Sequence, residues 1–304
     1  MYFVRRLLLL APLLLIISLL AFVLVRLAPG GPFDRERQPA SPEIERALKA
    51  KFHLDEPIWK QYLRFLAGLA RGDFGPSLKY RNHNVTDIIV QGLPISMSLG
   101  LTAFAFAMGL GISLGCVSAA RRGQWADQFG GLFAILMICI PGFVIAPILI
   151  MFFAIKLRWL PVALWNSPAH VILPVMALGL YFSGRITRLM REGMLGALQS
   201  EFVTAARAKG LSESAILLRH AFRIAVLPVV SYAGPLLADL LVGSFVIETI
   251  FQIPGIGVFL VNGSLNRDYT LVVGMVVLYA ALLVVLNLIV DFAYTQLDPR
   301  VRYE

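Results

Sequence analysis

Few residues in this 304-residue chain could do covalent chemistry, and none are spaced for it. Cys116 and Cys139, the two cysteines, stand inside long apolar runs. Such surroundings put thiols in lipid or packed helix and argue against a disulfide or a metal site, because no spaced partner ligands accompany them. His53 and His83 are isolated in a hydrophilic loop. Metal ions need several ligands together, so both read as solvated or capping residues. His170, near the start of an apolar run, reads as an interfacial side chain bonded to backbone; a proton relay would call for a neighbouring carboxylate, and none is in view. No Gly-Lys dipeptide occurs, so the chain has no phosphate-cradling loop of the GxxxxGK[ST] type. No nucleophile stands beside a base. Asn84-Val85-Thr86 matches a glycosylation acceptor, a pattern too short to carry weight. The expectation is a chain that is not itself an enzyme and holds no cofactor or metal.

Two places remain where residue type matters. Asp239 is a carboxylate among Leu237, Ala238, Leu240 and Leu241. A charge there is costly in lipid and should face the bundle interior or a water-filled cavity. It either lines a solute route and offers negative charge to a cationic group of cargo, or bonds another helix or a partner subunit; composition leans to the second, since polar contacts between membrane helices are common. The other place is residues 201–228, EFVTAARAKGLSESAILLRHAFRIAVLP. Ala205, Ala206 and Ala208 favour helix. Gly210 can stop it in a left-handed conformation, and Ser212 can cap a second helix. Beyond it Ile216, Leu217, His220 and Ile224 recur at helical spacing, with Arg219 and Arg223 on another face. A small-residue helix with a glycine break suits docking into a groove on a soluble partner. An amphipathic connector on the membrane surface fits composition alone somewhat better.

The elements that must position these residues are membrane spans. The chain is 58% hydrophobic and 15% charged, with a net charge of +9. In a membrane protein that excess reads as an orientation signal and attraction to lipid head groups. The basic residues are spread over loops without interleaved aromatics, which speaks against nucleic acid. Uncharged or weakly charged runs at 7–25, 95–120, 129–155, 169–189, 224–247 and 271–290 predict six spanning helices. The first reads as retained rather than as a cleaved signal, being long and followed by Arg26-Leu27-Ala28-Pro29, a poor cleavage site. The second contains Gly111 and Gly115 as a GxxxG, whose plain meaning is packing within the chain. The third contains Pro141-Gly142 and Pro147, which predict a kink. The domain plan is then a first span at 1–30, a small extramembrane subdomain at 31–94, a five-helix core at 95–298 with a loop at 190–227, and a tail at 299–304. In the subdomain, Ser41 and Pro42 start a helix over 43–51, and a second helix after Pro57 presents Ile58, Tyr62, Phe65, Leu66 and Leu69 on one face.

Six spans put both termini on one side. That side carries Arg5, Arg6, Arg121, Arg122, Arg185, Arg188, Arg191, Arg207, Lys209, Arg219, Arg223, Arg300 and Arg302, or 13 basic residues, against Lys156, Arg158 and Arg267 opposite. The termini and the 201–228 loop are therefore predicted to be cytoplasmic.

Ala205-Ala206, Gly210 and Leu227-Pro228 resemble the Glu-Ala-Ala loop of membrane subunits of ATP-driven importers, although Thr204 stands where the name-giving Glu would be and Ala225 where an Ile is expected. The text TAARAKGLS is similar to the peptide-importing branch. So are Arg26-Leu27-Ala28-Pro29-Gly30, Leu54-Asp55-Glu56-Pro57, Gly72-Asp73-Phe74-Gly75-Pro76-Ser77, Glu248-Thr249-Ile250-Phe251, Pro254-Gly255-Ile256-Gly257, Asn266-Arg267-Asp268-Tyr269 and the closing Asp298-Pro299-Arg300. The resemblance is to the B-type permease subunit of bacterial oligopeptide importers. It implies an all-α, six-helix type I importer fold in the bacterial inner membrane. It implies that Thr204, Ala205, Ala206, Arg207, Ala208, Lys209, Gly210, Leu211 and Ser212 form the surface that meets an ATPase. Its implied partners are a homologous second permease subunit, two ATPase subunits that bind the ATP and magnesium, a periplasmic peptide-binding protein, and peptide cargo. Dipeptide, nickel-chelate and glutathione permeases share the pattern and stay open as alternatives. A self-sufficient secondary transporter or channel should show an internal repeat or several intramembrane charges; no repeat is evident, and Asp239 is the one such charge in view.

Overall fold

The computed structural model describes residues 2–28, 31–32, 42–80 and 83–297. Every regular element among them is a helix, and the one extended pairing is an isolated bridge between Pro76 and Asn84. In chain order α1 is Tyr2–Leu27, α2 Pro42–Lys51, α3 Ile58–Leu69, α4 Val85–Ala120, α5 Trp125–Cys139 and α6 Gly142–Leu149, which passes into a π-helical stretch at Ile150–Lys156. Next come α7 at Pro168–Leu198, α8 at Glu201–Ala208, and the single turn α9 at Glu213–Ala215, continued by π-helical Ile216–Ala221 into α10 at Phe222–Ala225. The chain then forms α11 at Leu227–Gly243, α12 at Phe245–Ile250, α13 at Ile256–Leu265 and α14 at Tyr269–Leu297. The expected cap at Ser41 and the closing Asp298-Pro299-Arg300 lie outside the described residues.

Five apolar stretches among the described residues are long enough to cross a bilayer: Leu10–Leu27, Val85–Ala120, Pro168–Leu198, Leu227–Ile250 and Tyr269–Ile289. The sixth is broken. Instead of one kinked rod over 129–155, α5 and α6 meet at 106°. The cause is local: a residue before proline is pushed out of the helical region, and Ile140 is extended at φ −89°, ψ 116°, with Pro141 following at φ −57°, ψ 141°. The break still counts as one crossing. Asp127, at the start of α5, bonds Arg191 near the end of α7. Gly184 faces Ala134 and Met137, and Gly142 faces Tyr181 and Ala177. The chain therefore climbs α7 backwards and then enters it at Pro168. Segment 125–167 thus begins and ends at opposite ends of a rod about 46 Å long by its 31 residues.

Two helices overrun their predicted ends. α4 starts at Val85 rather than at residue 95. α7 continues to Leu198 instead of stopping at its arginines, because its buried stripe of Ile186, Met190, Met194 and Ala197 runs on while Arg185 and Arg188 point outward. The extra length makes Arg185 a charge inside a spanning helix, which apolar runs alone hid.

Contacts divide the chain into two compact units. One unit takes Met1–Ser96 and Pro254–Val285, so the last span associates with the first span and the extramembrane loop. In it, Ala21 and Phe22 of α1 pack on Val273 and Val277 of α14, with Tyr62, Phe65 and Leu69 of α3 against them. Ile58, expected on that face of α3, is exposed. Tyr62 shares a hydrogen bond with Ser18 at 2.9 Å, and the Arg26 guanidinium stacks on Phe22 and donates to Gln61.

The other unit takes Met97–Ile253 and, among the described residues, Leu286–Leu297, and α7 is its hub. The GxxxG of α4 packs within the chain, as expected, and its partner is α7. A Cβ on Gly111 would sit 2.6 Å from Cβ of Ile186, and one on Gly115 would sit 2.6 Å from Cβ of Met190 and 2.7 Å from the Thr187 carbonyl. These approaches leave no room for a side chain. Gly115→Leu should lower the stability of the detergent-solubilised chain by about 3 kcal/mol, the upper range for overpacking, whereas Gly131→Leu, with nothing within 4 Å, should melt like the parent. Equal melting of the two variants would show that α4 and α7 are not in contact there.

Candidate functional site

Residues 201–225 fold as a helical knuckle at the end of α7, on the side marked by the Asp127–Arg191 ion pair. That pair is bidentate, at 2.6 and 2.9 Å, and Asp127 also accepts from the Gly123 N–H at 3.0 Å. The α4–α5 loop is thereby tied to α7 just before the knuckle begins.

The knuckle forms as its sequence dictates. α8 ends at Ala208, and Gly210 takes φ +78°, a conformation that costs other residues a clash of Cβ with the backbone. Ser212 then caps the next turn, its hydroxyl accepting from the Ala215 N–H at 3.4 Å. Arg207 and Glu213 close the turn with two bonds of 2.8 and 3.2 Å. Those bonds hold the Glu213 carboxyl below its usual range and raise Arg207. One prediction on the second helix fails. Its inward face is Ile216, Ala221 and Ala225, while His220 and Ile224 are exposed. The π-helical stretch puts the wider i, i+5 step between Ile216 and Ala221, so a 3.6-residue period picks the wrong neighbours.

The predicted partner-facing residues divide. Thr204, Ala205, Arg207, Ala208, Lys209, Gly210, Leu211 and Ser212 are exposed. Ala206 is buried and packs with Val203, Ile216 and Leu198 inside the knuckle. Its small size lets α8 lie close to the second helix. Sequence reasoning missed two residues of the outer surface: Phe202 and Leu218 are 37% and 69% exposed, beside Leu211 at 41%. A hydrophobic residue off the helical period in a polar loop was the available signal.

Asp239 lies on α11 and lines a groove of about 390 Å³ with Gly142, Phe143, Tyr181 and Phe182. It is exposed in the isolated chain. No part of the knuckle lines that groove. Among the described residues no group of three or more potential metal ligands comes together.

The matched family motif around 248–269 turns out to hold two buried carboxylates. Glu248 accepts from the Ser244 hydroxyl at 2.7 Å. Asp268 caps α14 through the Leu271 N–H at 3.1 Å and also accepts from Ser77 and from the backbone N–H groups of Leu78 and Lys79. Thr86, of the glycosylation-like triplet, accepts from the Phe74 N–H and bonds the Gly72 carbonyl, a structural use of that side chain.

Residues 111–303 match the model of the family described as "Binding-protein-dependent transport system inner membrane component", and residues 1–100 match that family's N-terminal membrane component. The chain is 44% identical over 301 residues to the oligopeptide transport system permease protein OppB of Haemophilus influenzae, covering 98% of each. It is 45% identical to the protein of that name from Escherichia coli K12, covering 99% of each. It is 40% identical to the dipeptide transport system permease protein DppB of Bacillus subtilis, covering 99% of this chain and 97% of that one. Among solved structures it resembles inward-facing forms of the MetNI methionine ABC transporter, with a TM-score of 0.54 and 18% identity over 71% of this chain and 97% of that chain. The last likeness shows the fold alone, the all-helical fold of that transporter chain.

Proposed function

The chain belongs to the binding-protein-dependent transport system inner membrane components, and from that premise we propose that it is the permease subunit of an importer that carries oligopeptides across a bacterial inner membrane. The observation that carries this reading is likeness along the whole chain to oligopeptide permeases of Haemophilus influenzae and Escherichia coli. The dipeptide permease of Bacillus subtilis is also similar end to end, which keeps dipeptide cargo as a second reading.

The mechanism follows from what this chain has and lacks. It spans the membrane several times and has no nucleotide-binding loop of the GxxxxGK[ST] type. Energy must then enter from partner ATPase subunits, which bind the ATP and magnesium. The knuckle is the part suited to receive it. It lies on the side with 12 basic residues once Arg185 is set within α7, the cytoplasmic side by charge bias, and its outer surface carries apolar side chains that no part of the isolated chain covers. Closure of the ATPases around ATP would press on Thr204, Ala205, Arg207, Ala208, Lys209, Gly210, Leu211 and Ser212, with Ala206 fixing the knuckle's own shape. Force would pass directly into α7, and a second, homologous permease subunit would complete the route. The ATPases shift a two-state equilibrium only through contacts that differ between states. A periplasmic binding protein would hand over peptide, and the face bearing Asp239 would line the path.

The test is uptake of a radiolabelled tripeptide and of a labelled dipeptide into proteoliposomes holding the complete complex. Tripeptide uptake that stops when ATP is withheld supports the reading. Uptake by this chain alone, without ATP, would replace it with a secondary transporter, and uptake of dipeptide only would move the cargo assignment.

A further inference from the structure

Two opposite charges stand at membrane depth on neighbouring helices, and they do not pair. Arg185 lies about 25 Å along α7 from Pro168, and Asp239 about 18 Å along α11 from Leu227, at 1.5 Å per residue. Both side chains are exposed in the isolated chain. The Arg185 guanidinium rests on the ring of Tyr232, 4.6 Å from its centroid, and no carboxylate bonds it among the described residues. Asp239 has neither hydrogen bond nor ion pair among the described residues. Tyr232 is within electrostatic reach of both. Charges kept in such a place to support the fold would neutralise one another, because an unpaired charge in a spanning helix is costly. Here each is left with a free bonding edge.

We propose that Arg185 and Asp239 form a two-point contact for the charged side chains of a peptide in transit, Asp239 taking an ammonium and Arg185 a carboxylate. This rests on the peptide-import reading above and assigns the cargo's contacts within it. The surroundings match the chemistry. Phe143, Tyr181 and Phe182 line the groove beside Asp239, and aromatic faces attract an ammonium. A guanidinium already oriented by a ring presents its remaining N–H donors in the fork that suits a carboxylate.

The experiment uses the complete complex in proteoliposomes with saturating binding protein, and compares trialanine, trilysine and triglutamate. Asp239→Asn should slow trilysine uptake by roughly fivefold relative to trialanine, the worth of one modest ion pair, and spare triglutamate. Arg185→Gln should do the reverse. Asp239→Glu and Arg185→Lys keep the charges and should restore most of each preference. Equal slowing of all three peptides, unchanged uptake, or failure of the Asn variant to assemble while the Glu variant assembles would each overturn the proposal, the last by making Asp239 a contact between subunits. A parent complex that moves no peptide would instead overturn the import reading itself.

Discussion

Asp268→Ala is expected to cost the chain about 4 kcal/mol and to open the segment around Lys79 to trypsin. The carboxylate is fully buried, with no exposed surface. It accepts the Ser77 hydroxyl, the Leu78 N–H at 3.1 Å, the Lys79 N–H at 3.2 Å and the Leu271 N–H at 3.1 Å. Removing it strands several donors away from water, at about 1–3 kcal/mol each. It also deletes the cap of α14, worth about 1 kcal/mol. The damage is local in kind. Residues 77–79 have no sheet to hold them, and the same carboxylate fixes both this loop and the start of a spanning helix. Asp268→Asn keeps one acceptor but turns a donor toward the Leu78 and Lys79 N–H groups, so about half of the loss should remain. The measurement is a thermal melt in detergent together with a timed trypsin digest read at Lys79. Parent-like melting and resistance in both variants would mean that the cluster does not anchor the loop.

That cluster marks the limit of what could be read beforehand. The Asn266-Arg267-Asp268-Tyr269 stretch was recognisable as a motif, but nothing in it says that its carboxylate reaches back across nearly two hundred residues to Ser77. Hydrophobic runs do report their own length, so the spans were legible. Their ends were not: whether an arginine ends a helix depends on whether its far face continues to be buried, as Met190, Met194 and Ala197 are beyond Arg185. The break at Pro141-Gly142 was legible as a kink, yet the size of the bend, 106°, is set by α5 and α6 finding separate seats along α7. The knuckle was the most legible part, because each of its signals is local: alanines for helix, Gly210 for the stop, Ser212 for the cap. It failed at His220 and Ile224, where the π-helical stretch changes the period, and it missed the exposed Phe202 and Leu218.

In the knuckle, Phe202→Ser, Leu211→Ser and Leu218→Ser in combination should abolish ATP-driven uptake while leaving the chain folded. The argument turns on which side chains the knuckle uses for itself. Val203, Ala206 and Ile216 are buried in its own core, whereas the three target residues are 37%, 41% and 69% exposed. Leu218→Ser should hold the melt to within about 0.5 kcal/mol, while Phe202→Ser and Leu211→Ser, at side chains more than half covered, should each cost on the order of 1–2 kcal/mol. In a docked complex the same side chains would be the apolar centre of the contact. Loss of such centres costs about 2 kcal/mol or more each; three together would weaken docking by a factor on the order of a thousand or more. Co-purification of the ATPase subunits, followed by uptake in proteoliposomes, reads both steps. Ala206→Trp supplies the contrast. It overfills the knuckle's interior while sparing the outer surface, so it should lower the melt and uncouple transport together. If the triple variant retains its ATPases and still imports peptide, the stroke does not enter through this surface, and the proposed transmission from knuckle to α7 is wrong even though the chain remains a permease of its family.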